Sequence, residues 1–348
     1  MSLNDKIYKS ILRDILKILF PNTISINTIH THNTAAMMRI AIAGAGGFAA
    51  ILTHHISQTA NPIVILSRES NPDFEQRFDC QVAVVNYDDE ESLKFALQGI
   101  DLVISTVRGP EQISLIKASR HARVRLFVPA EFEGCLSHRP STSNHPLDYG
   151  SREAIELLKH YSNSKSRKMD YTVFSCGILY ERFAPGGLGE YGMGSREHIQ
   201  DQGSYLVDVG NGTADIVETN SSGRPVQVSM TSVNDVARFV AAAIELGPGT
   251  WPREFKMRGD RMSVRDIFAK CSNVRGVAFS LRTRKYSKLQ NELSHYEQKQ
   301  NWNQWWNIQR LITTADGRYD FRQANLNEAI NIQPVNFRTW LESQWGPG

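Results

Sequence analysis

The chain has 348 residues, of which 41% are hydrophobic and 22% charged, and its formal net charge is +3. This is the composition of a globular protein with length for one large or two modest domains. The charge is too small to point to nucleic acid or a membrane surface. The four cysteines, Cys80, Cys135, Cys176 and Cys271, have no zinc-ligand or redox spacing, so the expectation is reduced thiols, no metal and an intracellular, cytoplasmic protein. No apolar run approaches the roughly 20 residues that span a bilayer, so no stable membrane insertion is expected.

Residues 1–37 read as an extension. "YKSILRDILKILF" sets Ile11, Ile15, Leu16, Leu19 and Phe20 at helical spacing among Lys9, Arg13 and Lys17, and Pro21 ends the pattern. A surface amphipathic helix, a mitochondrial presequence and a leader ahead of a start at Met37 or Met38 are the three readings. Asp5 and Asp14 count against the presequence. From residue 38 strand-length apolar runs recur at 39–43, 62–67, 81–85, 101–107, 124–129 and 170–175. Helical patterns at 48–58, 90–98, 111–121 and 150–162 separate several of them. Continuous Val/Ile runs suit strands buried on both faces, and the alternation predicts an α/β fold, a Rossmann-type doubly wound and mainly parallel sheet over 38–176.

After Cys176 the rhythm breaks. "GILYERFAPGGLGEYGMGS" is rich in glycine and aromatic residues; "TSVNDVARFVAAAIEL" is a helix with Ser232 or Asn234 near its N-cap; 263–271 is a short helix. The stretch 284–310 is polar, with Trp302, Trp305 and Trp306 spaced to share one helical face and pack on the body. Residues 177–348 are expected to form a smaller substrate lobe whose segments return to the Rossmann core.

The first strand runs into "RIAIAGAGGFAA", residues 39–50. Glycine where a strand hands over to a helix suits a dinucleotide pyrophosphate. Gly44, Gly46 and Ala49 fit G-x-G-x-x-G/A, and Gly44, Gly47 and Ala50 fit a three-residue spacing; Phe48 lies between. In either register one glycine makes the turn, another clears the phosphate of a Cβ, and the helix N-terminus offers unpaired N–H groups. The second strand ends in Ser67 and Arg68 where an NAD site places an acid. An arginine fork suits a 2′-phosphate, so NADP (NADPH) is favoured, although Glu69 lies within reach of a ribose. The ends of the fourth and fifth strands bring Ser105, Thr106, Val107 and Arg108, and Pro129, Glu131 and Phe132, to the cofactor crevice. Glu131 and Glu133 read as a pair that orders their loop.

"AIAGAGGFAA", "VILSRES", "LQGIDLVISTV", "RLFVPAEFEG" and "YTVFSCGILYERF" stand in the order and spacing of the NmrA-like proteins, the atypical short-chain dehydrogenase group that includes isoflavone reductase and phenylcoumaran benzylic ether reductase, and the chain resembles that family over about residues 38–345. The resemblance implies an NADP-binding Rossmann domain, a small substrate lobe and, in the reductases, a lysine at the start of the helix after the "FVPAEFEG" loop. Here that helix begins "LDYGSREAIELLK" and the lysine position falls on Ser151 or Arg152. Lys159 lies two turns on, and Tyr149, a candidate acid, has Glu153 four residues later. Tyr149, Ser151 and Arg152 are the catalytic candidates. Arginine is a poor proton donor but polarises a carbonyl as a fixed charge. His138 and His145 occupy a Pro/Ser-rich loop over the site.

No G-x-S-x-G elbow is present, and His54 and His55 are adjacent and cannot share a metal. The expected function is an NADPH-dependent reductase of a small, aromatic or secondary-metabolite substrate, lined by Gly177, Ile178, Leu179, Tyr180 and Phe183. The alternative is a non-catalytic NmrA-type regulator that binds the dinucleotide and contacts a partner protein.

Overall fold

Ile40 and Ile42 point to one side of the first strand and Ala41 and Ala43 to the other, and all four are fully buried. Such a strand needs cover on both faces, and the computed structural model, which describes residues 37–139, 145–148, 150–194 and 199–346, provides it. Strands β1 (Ile40–Ala43), β2 (Ile63–Ser67), β3 (Gln81–Val84), β4 (Leu102–Ser105), β5 (Leu126–Val128) and β6 (Asp170–Tyr171) form one sheet in the order 3-2-1-4-5-6. Every neighbouring pair is parallel. The predicted doubly wound α/β fold is therefore present.

Helices α1 (Gly47–Ile56) and α2 (Pro72–Phe78) cover the Ile40/Ile42 face together with α6 (Val233–Leu246) from late in the chain. Helices α3 (Glu90–Ala96), α4 (Pro110–His121) and α5 (Ser151–Ser162) cover the Ala41/Ala43 face. The residues 1–36 discussed above lie outside the described part.

The single strand expected at 170–175 is divided. Tyr171 pairs with β5, whereas β7 (Val173–Ser175) pairs with β12 (Glu254–Lys256). The switch falls at Thr172, whose hydroxyl donates to the Pro252 carbonyl at 2.8 Å. The later segments close a third core. Here β8 (Ile178–Leu179), β11 (Gln227–Thr231) and β13 (Asp260–Ser263) form one small sheet, and β9 (Val207–Asp208), β10 (Thr213–Ile216) and β14 (Ser280–Thr283) another. Helix α7 (Val264–Arg275) starts with a capping box between Ser263 and Asp266.

The polar stretch 284–310 folds into α8 (Tyr286–Gln298) and α9, which runs on to Ala315 from Trp302. Arg284, 5% exposed, anchors the turn into α8 through two 2.6 Å bonds to Asp215. Trp305 packs on the lobe core, while Trp302 remains 53% exposed, so the three tryptophans share the packing unequally. Two short helices follow, α10 (Asn325–Ala329) and α11 (Phe337–Trp345).

Glu181 joins the lobe to α6. Its buried carboxylate accepts the Val233 N–H at 3.0 Å. Burial pushes its pKa up from 4.5 to about 8, against the backbone N–H groups of Glu181 and Val233. The unfolded chain ionises Glu181 near pH 4.5 while the folded chain retains the proton to about pH 8. Its contribution to stability is thus full below pH 4.5 and lost as pH rises to 8. Glu181→Gln keeps the acceptor and abolishes the titration. In urea unfolding at pH 5 and pH 9, the variant is expected to gain stability relative to wild type at the higher pH; an unchanged difference would contradict this assignment.

Candidate functional site

In the order 3-2-1-4-5-6 the strand order reverses between β1 and β4, and a crevice in such a sheet lies outside their carboxyl ends. Gly44 makes the turn there at φ +105°, its N–H donating to the Leu66 carbonyl at 2.8 Å. A Cβ on it would lie 2.3 Å from the Thr106 hydroxyl, which itself donates to the Ala43 carbonyl at 2.7 Å. Glycine is thus fixed by both conformation and space. Helix α1 then starts at Gly47 with no acidic residue in its first turn, so its end keeps the positive field of the backbone dipoles.

That end is engaged by the chain itself. The Gly47 N–H donates to the Gly192 carbonyl at 3.3 Å, and a Cβ on Gly47 would lie 1.6 Å from the Tyr191 carbonyl oxygen. Residues 187–191 form a 3-10 turn, and the Tyr191 hydroxyl donates to Gln344 on α11 at 3.3 Å. A backbone carbonyl thus stands where an acceptor oxygen meets the helix.

Phe48 from α1 packs edge-on against Phe132 after β5, with ring centroids 4.8 Å apart, and Phe132 stacks on Phe174. Pro129 is buried at the end of β5. Ser105 donates to the Val107 carbonyl at 2.9 Å, and Arg108 donates through Nε to the Ala130 carbonyl at 2.9 Å. At the end of β2, Ser67 Oγ accepts the Glu69 N–H at 3.3 Å. Arg68 is exposed and forms no ion pair with the described residues. The structure therefore gathers the sequence-predicted residues Gly44, Gly46, Gly47, Phe48, Thr106 and Val107 around one crevice, with Arg68 at the end of the neighbouring strand.

Beyond β5 lies a buried network of charge. Arg318, 1% exposed, donates to both carboxylate oxygens of Asp148, at 3.0 and 2.6 Å, and to Glu133. Arg139 donates to Glu131, to the Ser151 hydroxyl at 2.7 Å and, through its second nitrogen, lies 3.1 Å from Glu133. Burial opposes ionisation of Glu133, but Arg318, Arg139 and Arg108 outweigh it and bring its pKa down to about 2. Burial likewise opposes the charge of Arg139, and Glu133 and Glu131 overcome it, so its pKa is raised. Burial lowers the pKa of His145, 3.5 Å from Asp148, despite that carboxylate. One Glu131 oxygen is buried with no hydrogen-bond partner.

Ser151 opens α5 inside this network, 6% exposed. Arg152 points the other way at its Nε: its side chain is 41% exposed and pairs with Glu156 one turn on, at 2.9 Å. Tyr149 lies outside the described residues. Of the pocket residues, Tyr180 and Phe183 are core, 0% and 1% exposed, and the Tyr180 hydroxyl donates to the Val335 carbonyl at 3.3 Å. The expectation that they line a pocket wall therefore changes: aromatic bulk at these positions fills the lobe against Phe337. Ile178 is buried in β8, Leu179 is half-buried, and the Gly177 N–H donates to the Glu133 carbonyl at 3.0 Å. Sequence reasoning missed Arg139, Asp148 and Arg318, because Arg318 meets its partners across 170 and 185 residues. Among the described residues no helix is long and apolar enough to cross a membrane, and no cluster of His, Cys, Asp and Glu could hold a metal.

The sequence model of the NmrA-like family matches residues 37–298. Oxidoreductase BOA1 of Botryotinia fuckeliana is 22% identical over 263 residues, covering 72% of this chain and 81% of its own. Among solved structures, an isoflavone reductase superposes with a TM-score of 0.65 at 16% identity, over 88% of this chain and 99% of that one. A leucoanthocyanidin reductase–NADPH complex from Vitis vinifera superposes with a TM-score of 0.62 at 14% identity, over 88% and 99%.

Arg318→Met leaves Asp148 buried without its arginine and takes one of the cations from Glu133, which keeps Arg139. It is expected to cost about 3–5 kcal/mol in chemical denaturation, whereas Arg152→Ala should change stability by less than about 0.5 kcal/mol. Equal effects would contradict the placement of these two arginines.

Proposed function

The chain belongs to the NmrA-like family, and from that premise we propose that it is an NADPH-dependent oxidoreductase acting on a small organic substrate. The observation that carries this reading is the Gly44–Gly47 turn at the head of α1 beside the exposed Arg68, which has no ion pair among the described residues. Both features suit the group. The turn brings bare backbone and a positive helix end to a pyrophosphate, and Arg68 offers a fork of donors to a 2′-phosphate. Bound NADPH supplies a hydride. The oxidoreductase relative supports this activity, and the relatives named isoflavone reductase and leucoanthocyanidin reductase support an aromatic substrate.

The chain's own residues then have the following work. Phe48 and Phe132 form an apolar wall of the crevice. Thr106 and Val107 hold the strand end beside the Gly44 turn, and Pro129 and Glu131 shape the opposite edge with Arg108. Ser151 is, with Arg152, one of the two positions on which the family's lysine falls, and it is the one inside the buried network. Because Arg139 donates to its oxygen at 2.7 Å, the hydroxyl proton of Ser151 is left to donate to a substrate oxygen. Arg139 adds a fixed positive charge beside that oxygen, which favours a substrate that develops negative charge there. Arg152, paired outward with Glu156, takes a surface role in this reading. The pKa of Glu133 is near 2 and that of Arg139 is raised, so neither exchanges a proton near neutrality. Gly177, Ile178 and Leu179 carry the substrate side, with Tyr180 and Phe183 as their buried support. The absence of lysine at both Ser151 and Arg152 also favours a second reading, a regulator that binds NADPH without turning it over and contacts a partner protein.

Nicotinamide fluorescence titrations with NADPH and NADH test the proposal. Arg68→Ala is expected to weaken NADPH by about tenfold to a hundredfold, the weight of a charge-assisted contact, and to leave NADH unchanged. Binding of neither cofactor would overturn the proposal. Because Gly192 holds the Gly47 N–H, NADPH association should be two-step, its observed rate levelling off with concentration in stopped flow. A strictly linear dependence would contradict displacement of the 187–194 turn.

A further inference from the structure

A second cavity lies in the lobe, apart from every residue of the cofactor crevice. Its volume is about 420 Å³, and β9, β10, β14 and the first turns of α9 form its walls. Arg310 of α9 lines it, 9% exposed, with its Nε buried and without a hydrogen-bond partner. Among the described residues no carboxylate pairs with Arg310. A second cation, Arg182, acts on it and lies over the Tyr205 ring. Burial and then Arg182 lower the pKa of Arg310 to about 10. Arg282, exposed on β14 and also without an ion pair among the described residues, lines the same cavity, as do Asn303 and Gln304.

Two acids border this space, and both have their own partners. Asp215 is held by two 2.6 Å bonds from Arg284. Asp208 accepts from Gln202 at 2.9 Å and from Asn211 at 3.1 and 2.8 Å. Desolvating a guanidinium with no counter-ion beside another guanidinium disfavours folding, and buried polar groups left unpaired in a folded chain mark a site that something else completes. We propose that this cavity is a binding site for a small organic anion, a carboxylate or a phosphate monoester, held by the Arg310 fork with Arg282, Asn303 and Gln304 around it. A fork of N–H donors in a partly dry wall is the arrangement that planar oxyanions match. The volume is that of a small-metabolite site. The inference does not depend on the cofactor reading, since none of the fingerprint residues lines this cavity.

The test is thermal unfolding of the full chain in increasing inorganic phosphate and, separately, citrate, each against potassium chloride of matched ionic strength. Wild type is expected to rise by at least about 2 °C, saturating in the millimolar range. Response to phosphate alone assigns a phosphate site, to citrate alone a carboxylate site, and to both a general oxyanion site. Arg310→Met should lose the response and, freed of an unpaired buried charge, should melt above wild type in chloride. Arg282→Met, on an exposed strand, tests the site without disturbing the core and should weaken the response several-fold. Trp305 and Trp306 flank the α9 wall, so their fluorescence should saturate over the same concentrations. A response that is equal in the variants is general salt stabilisation and overturns the proposal, as does no response together with Arg310→Met melting below wild type in chloride.

Discussion

Arg318 is the interaction on which the site depends. It follows α9, far along the chain, and reaches back to Glu133 beyond β5 and Asp148 just before α5. In a medium of low polarisability such a guanidinium is costly to bury and costly to strip of its partners. The lobe, the edge of the sheet and the start of α5 are thereby fixed to one another. Arg139 repeats the device one layer out and sets the orientation of the Ser151 hydroxyl. Two arginines balance three carboxylates with Arg108 nearby, so the region is charged yet internally compensated. Glu133, its pKa brought down to about 2, and Arg139, its pKa raised, move no proton at neutral pH, which is why the chemistry proposed at Ser151 relies on a fixed cation and a hydroxyl.

The crevice on the other side of β5 is built on a different economy. There the donors are backbone N–H groups at the head of α1, with no side-chain cap on Gly46 and no acid in the first turn. A bare helix end in an apolar setting needs an acceptor. The Gly192 carbonyl fills that role, and the glycines at 186, 187, 192 and 194, all at positive φ, let the chain turn sharply enough to present it. In the proposed reading a phosphate oxygen would compete with this carbonyl oxygen for the same donor, and the turn at 187–194 would set the threshold for binding the cofactor.

The fold was legible where local chemistry determines it. The Val/Ile runs announce strands buried on both faces, and Gly44 announces the turn because no other residue fits φ +105° against Thr106. Helix α2 escaped notice although Asn71 caps it and Pro72 opens it, since seven residues with Phe74 and Phe78 give little periodicity. The division of the strand at Thr172 was hidden because Asp170–Tyr171 runs into Val173–Ser175 with no turn residue between and only their partners differ. At the site, the glycines and Arg68 were visible as a local pattern, whereas Arg139 and Arg318 were not. An arginine in a polar segment reads as surface until the fold brings a carboxylate to it. Tyr180 and Phe183 misled for the converse reason: aromatic residues beside glycine suggest a pocket, and here they fill a core.

The central claim is that the head of α1 exchanges the chain's own carbonyl for a cofactor phosphate. Hydrogen exchange of the full chain, followed by mass spectrometry with and without saturating NADPH, tests it most directly. The account predicts slower exchange in peptides covering Gly46–Phe48 and faster exchange in those covering 187–194, with a smaller change for NADH. Unchanged exchange at both segments, or protection of 187–194 without any at Gly47, would contradict it.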